Sequence, residues 1–158
     1  MTGGAAFSRD GRYRYRLWRR WDRSRPAIAF CMLNPSTADA RRDDPTIRRC
    51  IGFARDWGYG GIEVVNIFAL RATDPRELRS ACDPVGPRND AFMLRAADRL
   101  PVVIAWGVHG ALRDRQAKAL ALFGPRTRLL ALGRTRSGAP RHPLYLRRYA
   151  KATEYALA

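Results

Sequence analysis

Apolar side chains occur along the chain in three arrangements, each predicting a different element. Arg12-Tyr13-Arg14-Tyr15-Arg16-Leu17-Trp18 alternates basic and apolar residues with period two, which predicts a half-exposed strand. Ala27–Leu33 (AIAFCML) and Ile62–Phe68 are continuous apolar runs broken only by Glu63 and Asn66. Val102–Trp106 is a third such run. Runs of this length and composition predict strands covered on both faces. Between them, Asp44-Pro45 supplies an N-cap and a first-turn proline, and Ile47, Cys50, Ile51 and Ala54 fall on one helical face, predicting a helix to about Trp57. Asp74-Pro75-Arg76-Glu77-Leu78 reads as a second capped turn. Pro87-Arg88-Asn89 opens a third predicted helix, to about Arg99, with Phe92, Ala96, Ala97 and Leu100 as its stripe. A fourth runs from about Ala111 to Phe123 and buries Leu112, Leu120 and Phe123. Arg128–Leu132 is a short last strand, and Gly133–Leu146 a loop.

Strand and helix alternate with short connections, so the expected fold class is α/β, a three-layer αβα arrangement around a four-stranded, mainly parallel sheet. A chain of 158 residues suits one domain, with residues 1–11 and 150–158 expected to be peripheral or flexible. No apolar run approaches the roughly 18 residues that span a bilayer, and no apolar targeting stretch opens the sequence, so a cytoplasmic monomer without a membrane partner is expected.

Charge adds a partner to this picture. Thirty Lys and Arg against fourteen Asp and Glu leave a net charge of +16. From Arg115 through Thr153 there are ten cations and no acid, and Arg9–Arg25 holds eight Arg against two Asp. Unbalanced blocks of arginine, a bidentate phosphate ligand, point to nucleic acid or a nucleotide. Cys31, Cys50 and Cys82 form no close pair, so neither a disulfide framework nor a zinc or iron–sulfur site is expected.

In open α/β sheets ligands bind beyond the carboxyl ends of the strands. That rule selects Asn34-Pro35-Ser36, Asn66 with its loop, Gly107–Gly110 and Gly133–Leu146. Asn34 can make a turn before Pro35 or face a ligand. Asn66, inside an apolar strand, either bridges loops or offers its donors and acceptor to a base edge. His109 can cap the helix that follows it, and His142 lies in an acid-free loop. Asp39, Asp43 and Asp44 can be read as a cation site, although Asp44 already serves as a helix cap; no metal or other cofactor is expected.

Met32-Leu33-Asn34-Pro35-Ser36-Thr37-Ala38-Asp39, followed by Asp44-Pro45-Thr46 and Ile47, resembles the signature of an uncharacterised bacterial and phage domain family, over about residues 12–148. That family in turn resembles, more distantly, the uracil-DNA glycosylase superfamily. Leu33-Asn34-Pro35-Ser36 is similar to the Asn-Pro-Gly motif of mismatch-specific and single-strand-selective members. Val65-Asn66-Ile67 is similar to the strand whose Asn reads uracil, Ile104–Gly110 to the third strand and glycine turn, and Arg141-His142-Pro143-Leu144 to the His-Pro-Ser-Pro-Leu loop. The resemblance implies DNA as partner and excision of a modified or deaminated base by hydrolysis. It implies Asn34 positioning water, His142 donating to the departing base, and Pro35, Ser36, Thr46 and Asn66 around that base. Leu144 or Tyr145 would fill the vacated stack while Arg141, Arg147 and Arg148 bind phosphates. The chain departs from the pattern in lacking the catalytic Asp of the most active members, the Ser-Pro of the His loop, the stacking Phe (Thr46 or Ile47 stands there) and the cluster-binding cysteines. Two other readings share the same residues: a non-catalytic binder of damaged DNA or structured RNA, and an enzyme acting on free nucleotides.

Overall fold

A computed structural model describes residues 1–156. Seven strands form one mixed sheet: β1 (Thr2–Phe7), β2 (Arg14–Arg20), β3 (Ala27–Met32), β4 (Gly61–Asn66), β5 (Val102–Ile104), β6 (Leu129–Ala131) and β7 (Thr153–Glu154). Their order is β1-β2-β4-β3-β5-β6-β7. The four parallel strands at the centre, β4-β3-β5-β6, are the apolar runs of the sequence. The sheet is nevertheless wider than the four strands expected. β1 pairs antiparallel with β2 and β7 pairs antiparallel with β6, so parts of both ends of the chain form the edge strands at the periphery of the sheet. Positions 157 and 158 of the expected peripheral tail lie outside the described residues. Between Thr2 and Phe7, β1 has only Gly and Ala, which do not mark a strand, and β7 has only two residues.

Four helices cover the two faces: α1 (Pro45–Asp56), α2 (Pro75–Ser80), α3 (Asn89–Arg99) and α4 (Arg115–Leu122). α1 packs Ile47, Cys50, Ile51, Phe53 and Ala54 on Ile28, Phe30 and Val64 of the sheet. On the other face Met93, Ala96 and Ala97 of α3 and Ala119 of α4 cover Ala29, Val65, Val102 and Ile104. Asp44 caps α1 through the Ile47 N–H at 2.9 Å, and Asp74 with Glu77 closes a reciprocal capping box on α2. The expected single helix over 111–123 is instead a 3₁₀ stretch, Val108–Asp114, followed by α4. The backbone breaks at Arg113 and Asp114, which both take positive φ. In α3, Phe92 sits at the margin, stacked on Tyr15, and Met93 and Asn89 take the fully buried positions.

The period-two alternation of β2 is interrupted. Ala6 pairs with Arg16 and Phe7 with Arg14, so Tyr15 is an extra residue, a β-bulge. Beyond it the side chains change face: Arg14 joins Leu17 and Arg19 toward α1, while Tyr15 stacks on Phe92 and Arg16 reaches Glu63. Glu63, buried in β4, is held by Arg16 at 3.1 Å and by Arg99 of α3 at 2.8 Å, joining β2, β4 and α3. Removing one partner from a buried ion pair is strongly destabilising because the rest of the charge stays behind. Both arginines here are partly solvated, so urea unfolding of Glu63→Ala is expected to show a loss near the low end, about 3 kcal/mol. An unchanged midpoint would mean that the bridge contributes nothing to the packing of α3.

Candidate functional site

The parallel pairing of β3 with β4 sets Met32 opposite Asn66, so the two strands end level on the α1 face. Asn66 thus ends its strand rather than interrupting it, and Asn34 stands two residues beyond the end of β3. Asn34 Nδ2 donates to the carbonyls of Pro35 (2.9 Å) and Ala72 (2.7 Å), stitching the two strand-end loops together, while its Oδ1 has no protein partner among the described residues. Asn34 therefore serves as the turn residue and still keeps an acceptor free.

These residues meet. Asn34, Pro35, Ser36, Thr46, Asn66 and His142 line one small cavity of about 50 Å³, together with Met32, Ile47, Arg14 and Asp44. Asn66 is 2% exposed, and its side-chain amide makes no hydrogen bond to the protein among the described residues. The amide is not sealed but opens onto the cavity, so its hydrogen-bonding groups need a partner from there. Its backbone carbonyl, by contrast, accepts the Nδ2 of the wholly buried Asn89 at 2.7 Å, which also reaches Ile67 O at 3.2 Å. Asn89 thus fixes the end of β4 from the far side of the sheet.

Arg14 is the second anomaly of the cavity. It is 2% exposed, its Nη1 donates to Ala38 O at 3.0 Å, its Nε is buried without a partner, and among the described residues no carboxylate lies within ion-pair distance. Burial pushes this guanidinium down to about 10, with Asp44 the main opposing influence. Arg19, its neighbour on the same face, is by contrast neutralised by Asp43 at 2.8 Å. Asp39 accepts the N–H groups of Arg41 and Arg42, which leaves Asp44 as the acid of that loop at the cavity. Among the described residues no group of three His, Cys, Asp or Glu is placed to hold a metal ion.

His142 reaches the site on the loop after β6. Gly107 takes φ +72, a conformation that disfavours any side chain, and its N–H donates to Pro140 O at 2.9 Å, bringing His142 alongside. Arg49 of α1 donates to Leu146 O and ties the far end of the loop down. His142 Nδ1 accepts the Leu144 N–H at 3.2 Å, which leaves Nε2–H as the donor of the neutral ring. Burial pulls the imidazole below its ordinary range, against a smaller opposing pull from Asp44.

His142 also borders a wider groove of about 510 Å³ formed by Trp106, Gly107, Val108, His109, Arg141, Leu144 and Tyr145 with Leu33, Thr73 and Pro75. Tyr145 is 88% exposed at its rim, whereas Leu144 is half-buried. Arg141 spends its Nε on Arg134 O at 3.0 Å. Of the expected phosphate ligands, Arg148 lies elsewhere, with Arg48, Arg49 and Arg55 in a hollow along α1, and Arg147 lines neither the cavity nor the groove. Another hollow, about 590 Å³ and rich in arginine, lies at the opposite end of the sheet beside the starts of β3 and β4, away from these residues.

A family model described as a protein of unknown function, DUF1643, matches residues 14–144. The chain belongs to that family, in keeping with the domain signature read around Asn34 and Asp44. No curated protein matches the chain, and no solved structure does.

Two outcomes follow from this geometry. Asn66→Ala, which removes no protein hydrogen bond, is expected to unfold within about 1 kcal/mol of the parent, whereas Asn89→Ala strands the buried Asn66 carbonyl, Ile67 O keeping the Arg115 Nε at 2.7 Å, and is expected to lose about 2 kcal/mol; equal losses in chemical denaturation would mean that both amides are structural. His142 has a folded pKa below its unfolded value, so between the two the unfolded chain binds more protons and stability rises with pH. The contribution is whole above about pH 6.5 and declines as pH falls below it. His142→Gln is expected to flatten that part of the stability–pH profile, and an unaltered profile would contradict the buried neutral ring.

Proposed function

We propose that the protein is a DNA glycosylase-like enzyme of uracil-DNA glycosylase-like fold, acting as a monomer, that extrudes a modified or deaminated base and hydrolyses its N-glycosidic bond. The observation that carries this reading is the convergence of Asn34, Asn66 and His142 on one cavity, with the Asn66 amide buried and unpartnered. An apolar cavity of about 150 Å³ takes a benzene ring. A cavity of about 50 Å³ therefore suits the polar edge of a base, and the adjoining groove past His142 suits the body of the ring.

In this reading Asn66 pairs with the base edge, using both donor and acceptor. Asn34 Oδ1 orients a water toward C1′. Breaking the C1′–N bond leaves negative charge on the base, toward which the neutral His142 directs Nε2–H and Arg14 its uncompensated charge. Preorganised donors of this kind favour the transition state over the ground state. Tyr145 at the groove rim, rather than the half-buried Leu144, is the side chain available to fill the vacated stack. The arginines along α1 with Arg148 offer a phosphate track in a hollow of their own.

One observation favours a second reading, a binder of damaged DNA or structured RNA that performs no chemistry. The Asn34 Nδ2 spends both of its donated hydrogen bonds on holding loops together, as a structural residue would.

Incubation with duplex and single-stranded oligonucleotides carrying uracil, hypoxanthine, xanthine or hydroxymethyluracil is expected to give abasic sites with at least one of them. Asn66→Ala is expected to lower that product by roughly 10²-fold or more while DNA affinity persists and falls steeply with salt. DNA binding without abasic sites on any substrate would establish the binder. Cleavage of nucleosides without affinity for oligonucleotides would establish an enzyme of free nucleotides.

A further inference from the structure

Water attack at C1′ requires a group that can take up a proton, and few of the residues lining the cavity can. Ser36 and Thr46 are neutral alcohols, Asn34 and Asn66 are amides, and Arg14 is a cation. His142 has its Nδ1 lone pair occupied by the Leu144 N–H and presents only a donor. Asp44 is left. Its Oδ1 accepts the Ile47 N–H at 2.9 Å as the cap of α1, and its Oδ2 has no protein partner among the described residues. It forms no ion pair with Arg14, although both line the cavity and each lies within the other's electrostatic reach. The buried, unpartnered amide of Asn66 on the same cavity is independent evidence that a ligand belongs there.

We propose that Asp44 supplies the proton acceptor that the Asn34 turn lacks, one carboxylate oxygen capping α1 and the other receiving the proton of the attacking water. The inference rests on the hydrolytic reading above. The water oxygen bonds to C1′ while the C1′–N bond breaks. The electron pair of that bond leaves with the base, the water's proton passes to Asp44 Oδ2, and solvent later takes that proton and protonates the released base. The same carboxylate places negative charge beside the sugar as positive charge develops on it. A cap needs only a hydrogen-bond acceptor, whereas a base needs a carboxylate, so one position serves two separable purposes.

Asn and Ser are as good N-caps as Asp. Asp44→Asn and Asp44→Ser are therefore expected to melt within a few degrees of the parent, bind oligonucleotides with unchanged affinity, and form abasic sites about 10²- to 10⁴-fold more slowly in single-turnover assays. Cap-preserving variants that retain the parent's rate would show Asp44 to be a cap alone, overturning this inference while leaving the glycosylase reading intact. A parent protein that yields no abasic site on any substrate would refute both. If one variant melts early, the other decides, because both keep an acceptor at the cap.

Discussion

The site depends on the register between two parallel strands. Pairing Met32 with Asn66 makes β3 and β4 end at one level, and every residue of the cavity is then supplied by whatever follows or flanks those ends. The turn after β3 brings Asn34 across to Ala72, α1 starts at Asp44 just beyond it, and the loop after β6 folds back to deliver His142. A slip of one residue would send Asn66 to the opposite face, where Met93 and Ala96 leave no room for a polar group. Asn89 guards that register by holding the carbonyls of Asn66 and Ile67.

Electrostatics gives the cavity its direction. A guanidinium sealed from water without a carboxylate beside it is an expensive group to keep, and Arg14 is in that position because a bulge at Tyr15 turns it inward. Arg19, on the same face, shows the ordinary solution, a direct pair with Asp43. Arg14 and Asp44 instead stand unpaired on one small volume, with the free ends of two amides and a neutral imidazole between them. Such an arrangement favours a ligand edge that carries both donors and acceptors and that changes charge during its visit.

Much of this was legible in the chain, for identifiable reasons. Continuous apolar runs marked β3, β4 and β5, and the Asp-Pro pairs at 44–45 and 74–75 marked the starts of α1 and α2 because capping chemistry is local. The polar residues Asn34, Asn66 and His142 stood out because they adjoin apolar strands or an acid-free loop, where a polar side chain needs a reason. What escaped was non-local. Arg14 reads as an outward residue of an alternating strand, since a bulge depends on the partner strand and leaves no mark at Tyr15. Asn89 looks like a helix-opening residue until β4 is seen behind it. The break at Arg113 and Asp114 carries neither glycine nor proline. Arg147 and Arg148 are neighbours in sequence yet diverge, one into the α1 hollow and one away from it.

The central claim is that the cavity at the level ends of β3 and β4 receives the edge of an extruded base. A crystal structure with a duplex bearing 2′-fluorinated deoxyuridine or deoxyinosine, whose glycosidic bond resists cleavage, tests it directly. The account predicts one nucleotide out of the stack, its base edge within hydrogen-bond distance of the Asn66 amide and a water held by Asn34 near C1′. A fully stacked duplex seated on the protein, with the Asn66 amide facing only solvent, would contradict it.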